Sequence, residues 1–193
     1  MTALKLPPLY ILRHGETEWN LEGRLQGALN SPLTHRGKQQ AMRQGQILDG
    51  LDLHGTALLC SPQCRAVQTA SIALAARASD LRLDDRLREI GLGLWAGSLL
   101  RDLPVPADGP SGTPNGMALY DMAPQGEGLA ALEVRCRGFL EGLTDPCVLV
   151  THSITSRMMR ALATGAGRAG LDLIGCGQGV VYHLHDGVQI RLE

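Results

Sequence analysis

The sequence predicts an α/β fold: a three-layer α/β/α sandwich with a mostly parallel central sheet, an antiparallel edge strand and a lid-like insertion. Three observations carry this expectation. Short apolar runs at 9–12, 56–60 and 147–151 each lead through polar residues into a helical stretch, the alternation that builds a parallel sheet with helices on its faces. Two further runs, 180–184 and 188–192, flank His185-Asp186-Gly187, and Asp-Gly between such runs signals a hairpin. Between 98 and 128 the alternation stops, and Pro104, Pro106, Pro110, Pro114 and Pro124 stand among many glycines. At 193 residues the chain is read as one domain, 1–193, with 98–128 as an insertion rather than a second domain.

The elements follow in order. Leu9, Tyr10, Ile11 and Leu12 read as a buried strand ending at Arg13, His14 and Gly15. In an open parallel sheet ligands bind just beyond the carboxyl ends of the strands. Arg13 and His14 are therefore expected there, with Gly15 allowing a sharp turn or a close approach. Residues 16–30 read as a polar loop. A helix is predicted from His35, with Thr34 as N-cap and Gly50 as its stop.

The second strand, 56–60, runs into Ser61-Pro62, read as N-cap and first helical position. The helix continues to about residue 76, with Arg65 in its first turn. A helix N-terminus with an arginine beside it can hold an anion, although a single such arginine is more often a surface residue. Leu81 and Leu83 suggest a short strand. Glu89 precedes the glycine-rich stretch 91–97, as a general acid or as a solvated loop charge.

Inside the insertion a helical turn is expected near 117–122. A helix over 128–143 has Leu129, Leu132, Cys136, Phe139 and Leu140 on one face. The third strand, 147–151, ends at His152-Ser153 and feeds a helix over 154–163 that stops at Gly165. His183 and His185 share a face of the last hairpin, where a solvated pair is favoured over a metal site.

Composition narrows the function. Lys plus Arg is 18 and Asp plus Glu is 19, a formal net charge of −1, which gives no general drive toward nucleic acid or an anionic membrane. Aromatic residues are 3% of the chain, too few for base-stacking platforms. The first eight residues lack the apolar core of an export signal, and no apolar run reaches membrane-spanning length. The five scattered cysteines read as free thiols of a cytoplasmic protein. Neither nucleic acid nor membrane is expected as a partner.

The chemistry lies in Arg13, His14, Arg65, Glu89 and His152. They come from four segments, three of them strand ends on one side of the sheet. A guanidinium fork matches phosphate oxygens in pairs, and a neutral imidazole can attack phosphorus.

Four motifs then give a resemblance. Residues 13–20 (Arg-His-Gly-Glu-Thr, then Trp19-Asn20), 61–70 (from Ser-Pro to Thr-Ala), 87–95 (Leu-Arg-Glu-Ile with Gly93 and Trp95) and 148–152 (Val-Leu-Val-Thr-His) resemble, in this order, the motifs of the histidine phosphatase superfamily, the group of the phosphoglycerate mutases. The resemblance implies a metal-independent, histidine acid phosphatase-like phosphomonoesterase with no cofactor. It implies His14 as nucleophile and Glu89 as acid and then base. Arg13, Arg65 and His152 would hold the phosphoryl oxygens, with Asn20 and Gln26 as supplementary donors.

Two positions depart from the pattern. Ser153 stands where the family has glycine, so it could narrow the pocket or add a hydroxyl donor, and Ala96 stands where it has glutamate. The insertion has one cation, Arg101, among Asp102, Asp108, Asp121 and Glu127. That balance favours a phosphatase for a small phosphorylated metabolite over a mutase, which needs more cations around its substrate. The remaining alternative is a non-catalytic phosphate binder on the same fold. Oligomeric state is open, with a homodimer among the options.

Overall fold

The computed structural model describes residues 3–104 and 116–193; the middle of the expected insertion, with Pro106, Pro110 and Pro114, lies outside the described residues. The sheet has six strands: β1 (Leu9–Arg13), β2 (Ala57–Cys60), β3 (Leu81–Leu83), β4 (Cys147–Thr151), β5 (Val181–His185) and β6 (Val188–Leu192). Their order is β3-β2-β4-β1-β5-β6. The first four named in that order are parallel, while β5 runs antiparallel to β1 and β6 antiparallel to β5. The expected hairpin, β5 and β6, forms the antiparallel edge of the sheet. Its turn residues Asp186 and Gly187 both have positive φ, 49° and 73°, as the tightest hairpin turn requires.

Register brings the three motif-bearing strand ends together. Leu12 and Cys60 both lie opposite Val150 on β4, and Arg13 lies opposite Thr151. The ladder runs one step past the strands. The Ser61 N–H donates to the Val150 carbonyl at 2.9 Å, and the His14 N–H to the Thr151 carbonyl at 3.0 Å. Ser61, His14 and His152 therefore emerge side by side.

Alternation along the central strands makes two cores. Leu9 and Ile11 of β1, with Cys147 and Leu149 of β4, face α5 (Gly128–Glu141) and α6 (Ser153–Ala163). Leu12, Val148 and Val150 face α2 (His35–Asp49) and α3 (Cys64–Ala73). Both sheet faces are covered, so the central strands are apolar throughout. The five residues assigned to the core face of α5 are all buried.

Three local expectations are corrected. Residues 16–30 are not all loop: α1 (Glu18–Glu22) forms behind a capping box in which the Thr17 side chain accepts from the Asn20 N–H and the Asn20 side chain accepts from the Thr17 N–H. Asn rather than Glu or Gln at the third position hid that signal. The helix after β2 starts at Cys64, not at Pro62, and Gln63 precedes it without a side-chain cap. Ser61 is buried; its Oγ accepts from the Gln63 N–H at 3.3 Å and lies 2.7 Å from His152 Nε2. That helix also ends at Ala73, and tighter turns carry the chain over Ala75–Asp80. The insertion's helical turn is present as α4 (Ala118–Met122).

Gly15 is needed for close approach rather than for a left-handed turn. A Cβ there would collide with the Gly37 carbonyl, and a Cβ on Gly37 would collide with the Glu16 carbonyl. The two glycines let the first turn of α2 lie flat on the loop after β1. Gly37→Ala is expected to destabilise the fold by about 3 kcal/mol through this overlap. Gly138→Ala, on an exposed stretch of α5 with nothing near its Cβ, should stabilise by about 0.5–1 kcal/mol. Urea unfolding of the two variants measures both, and equal effects would contradict the packing.

Candidate active site

A cavity of about 130 Å³ opens at the carboxyl ends of β1, β2 and β4. Arg13, His14, Asn20, Gln26, Arg65, Glu89 and Ser153 line it, together with Arg24, Leu25, Gly27, Leu92 and Tyr120. Every proposed site residue except His152 is on its wall.

His14 is almost completely buried. Its Nδ1 lies 2.7 Å from the Gly15 carbonyl oxygen. A carbonyl only accepts, so the neutral ring carries its proton on Nδ1 and leaves Nε2 with a lone pair. Burial, reinforced by the charges of Arg13 and Arg65, holds its pKa well below the ordinary 6.5. The ring is thus an uncharged base in an electropositive site.

Arg65 is the most constrained group. The residue is 1% exposed. Nε donates to His152 Nδ1 at 3.2 Å, Nη1 to the Leu29 carbonyl at 2.7 Å, and Nη2 to the Gly27 carbonyl at 2.9 Å and to Gln63 Oε1 at 3.4 Å. Four of its five N–H bonds are so committed, leaving one for a ligand. Burial pushes its pKa down to about 10, with the Glu89 charge opposing the shift, so it stays a cation at neutral pH. Arg13 is held less tightly: Nη1 donates to Cys176 Sγ at 3.4 Å, and its Nε is buried without a partner. An orphan charged donor on a cavity wall suits an incoming anion.

His152 packs against His14, ring centroids 5.2 Å apart. It is expected to bind phosphate, yet it lies behind the wall. Nδ1 accepts from Arg65, so Nε2 carries the proton and donates to Ser61 Oγ at 2.7 Å. In this arrangement it orients Arg65. Burial first, and then Arg65 and His14, lower its pKa well below 6.5.

Glu89 sits at the N-terminus of α6. Oε1 accepts from the Ile90 and Thr155 N–H groups, with the Thr155 hydroxyl, which donates to the Arg88 carbonyl at 2.7 Å, also 3.2 Å away; among the described residues Oε2 accepts only from Ile154 N–H, at 3.2 Å. The helix end fixes the carboxylate's direction. Oε2, the less engaged oxygen, has the capacity to carry a proton.

The supplementary residues differ from expectation in detail. Asn20 Oδ1 is engaged with the Thr17 N–H and with Gln178, which also donates to the His14 carbonyl. Its amide hydrogens remain for the cavity. Gln26 donates to Thr17 Oγ1 and leaves Oε1 buried without a donor. Turning the carboxamide over would let the Thr17 hydroxyl satisfy that oxygen and point the NH₂ group inward. The Ser153 hydroxyl hydrogen goes to Cys176 Sγ at 3.2 Å, not to the cavity.

Sequence reading missed Arg24, Gln63, Tyr120, Cys176 and Gln178. Gln63 lies inside the second motif and could have been found. Arg24 lies on an apparently featureless loop, packed on Trp19 at 5.4 Å. Tyr120 belongs to the insertion, and burial with the Glu89 charge raises its pKa, so its hydroxyl stays a donor. Arg101, the insertion's cation, points into solvent beside Asp102 and is not on the cavity wall.

Among the described residues no group of three or more His, Cys, Asp or Glu side chains could hold a metal ion. His183 instead stacks on Tyr10 at 4.6 Å.

Comparison with known proteins follows the same lines. The family model of the histidine phosphatase superfamily (branch 1) matches residues 9–187. Over 142 residues, 71% of this chain, it is 36% identical to "Probable phosphoglycerate mutase GpmB" of Cronobacter sakazakii. The match spans 63% of that relative's length, and only 39% of the Salmonella choleraesuis protein of the same name. Among solved structures, TTHB049 of Thermus thermophilus is 32% identical with a TM-score of 0.74, covering 96% of this chain and 99% of that one. The alpha-ribazole phosphatase of Shigella flexneri is 25% identical with a TM-score of 0.75, covering 96% and 94%.

Both buried imidazoles bind protons more weakly folded than unfolded, where 6.5 is the ordinary value. Below that pH the unfolded chain takes up protons the folded chain refuses. Stability should therefore fall on acidification from about pH 7 to 5, by up to about 1.4 kcal/mol per pH unit for each ring. Urea midpoints across that range measure the slope. His152→Asn should reduce it by one ring's contribution, and an unchanged slope would show that His152 titrates normally.

Proposed function

The chain belongs to the histidine phosphatase superfamily, and from that premise we propose that it is a metal-independent phosphomonoester hydrolase working through a phosphohistidine. The observation that carries this reading is the His14 tautomer: Nδ1–H bound to the Gly15 carbonyl, Nε2 unprotonated, two guanidiniums alongside.

The substrate phosphoryl group sits between Arg13 and Arg65, with Asn20 and Gln26 contributing amide donors. His14 Nε2 attacks phosphorus as the ester P–O bond breaks. Glu89, protonated on Oε2, gives its proton to the leaving oxygen. A water then enters; Glu89, now a carboxylate, takes its proton as it attacks the phosphohistidine, and orthophosphate and His14 are released. The arginines stabilise the equatorial charge in both steps. His152 acts here by holding Arg65.

Hydrolysis is favoured over mutase transfer because Arg101 is not on the cavity wall, whereas Leu25, Leu92 and Tyr120 are. These groups suit a small phosphorylated metabolite with an uncharged or aromatic part. An alpha-ribazole phosphate, the substrate class named for the Shigella neighbour, is one such ester. Mutase activity is the second reading, favoured by the GpmB relatives and by Arg24 on the wall. The free cysteines suit a cytoplasmic enzyme, and Tyr120 brings the insertion to the cavity wall.

Purified protein should hydrolyse p-nitrophenyl phosphate in excess chelator. His14→Ala should lose at least about 10³-fold, and Glu89→Gln about 10²- to 10⁴-fold. Rapid quenching with a radiolabelled monoester should trap acid-labile label on the wild type and none on His14→Ala. A strict requirement for divalent metal would refute the mechanism. Interconversion of 2- and 3-phosphoglycerate faster than hydrolysis would replace hydrolase by mutase.

A further inference from the structure

Two residues without an assigned role in phosphate chemistry meet at one atom. Cys176 lies between the helical turn Arg168–Leu173 and β5, partly exposed. Its sulfur accepts from the Ser153 hydroxyl at 3.2 Å and from Arg13 Nη1 at 3.4 Å. Ser153 opens α6, whose backbone also holds Glu89. The thiol therefore ties the guanidinium of Arg13 to the helix that fixes the carboxyl group.

The acceptor type matters. A carboxylate at this position would form an ion pair with Arg13 and cancel the charge the phosphoryl group needs. A thiol sulfur is a weak, neutral acceptor. It fixes one end of the fork and leaves the charge uncancelled, with Nε buried and unpartnered.

We propose that Cys176, anchored by Ser153, is a positioning residue that orients Arg13 for phosphoryl binding without neutralising it. The proposal rests on the phosphatase reading of the cavity. It also gives Ser153 a specific task, support of the thiol rather than contact with phosphate.

Orthovanadate affinity of the full chain, read by calorimetry, tests this apart from catalysis; KM and kcat for p-nitrophenyl phosphate are measured in parallel. Cys176→Ala should weaken vanadate binding about five- to tenfold and raise KM similarly, with kcat changed less than about threefold. Cys176→Ser, which keeps an acceptor, should return affinity to within about twofold of wild type. Cys176→Asp should bind vanadate more than about tenfold more weakly than wild type, because Arg13 is then paired.

Wild-type affinity in Cys176→Ala or in Cys176→Asp overturns the proposal, as does a serine variant as weak as the alanine one. If Cys176→Ala does not fold, Ser153→Ala replaces it. A two- to threefold loss is expected there, about what one weakened hydrogen bond gives, and no loss overturns the proposal. Wild-type protein that neither binds vanadate nor hydrolyses the ester overturns both this inference and the phosphatase reading. Binding by wild type with an unaffected alanine variant overturns this inference alone.

Discussion

The burial of the Arg65 guanidinium is the constraint on which the site depends. A charge removed from water must be met by acceptors or it destabilises the fold by several kcal/mol. Here the acceptors are the Gly27 and Leu29 carbonyls, Gln63 Oε1 and His152 Nδ1. They come from the loop after α1, the entry to α3 and the end of β4. One side chain therefore fixes three segments, and none of these four acceptors carries a charge.

The same logic extends outward. The two imidazoles are kept neutral because they are buried and their surroundings are already cationic. Each then has one donor and one acceptor nitrogen, and each tautomer is set by its fixed neighbour: the Gly15 carbonyl for His14, the Arg65 Nε–H for His152. The carboxylate of Glu89 is held at the start of α6 rather than paired with either arginine, among the described residues. Positive charge is thus concentrated on the cavity wall, and the Glu89 carboxyl group is set to one side of it. Arg13 Nε and Gln26 Oε1 are buried in it without a hydrogen-bond partner.

Much of this architecture was legible in the chain. The three apolar runs, the Thr34 cap, the Gly50 stop and the Asp186-Gly187 turn rest on local physics: side-chain period, capping and positive φ. The failures are equally physical. Ser61 has the residue type of a helix cap, but the deeper demand of His152 Nε2 for a partner draws it inward. The capping box at Thr17 was hidden because Asn20 closes it instead of a glutamate. Tyr120 and Cys176 reach the site by folding back over it from segments with no periodic pattern.

Sequence by itself determined the residue types of the site and which strand ends carry them, because those follow from hydrophobic period and turn chemistry within a few residues. Only the tertiary structure decided the register that sets Ser61, His14 and His152 side by side. It alone decided the ring tautomers, the burial that keeps them neutral and the partner of each guanidinium N–H. Those quantities depend on which distant groups share a small buried volume, and no local pattern encodes that.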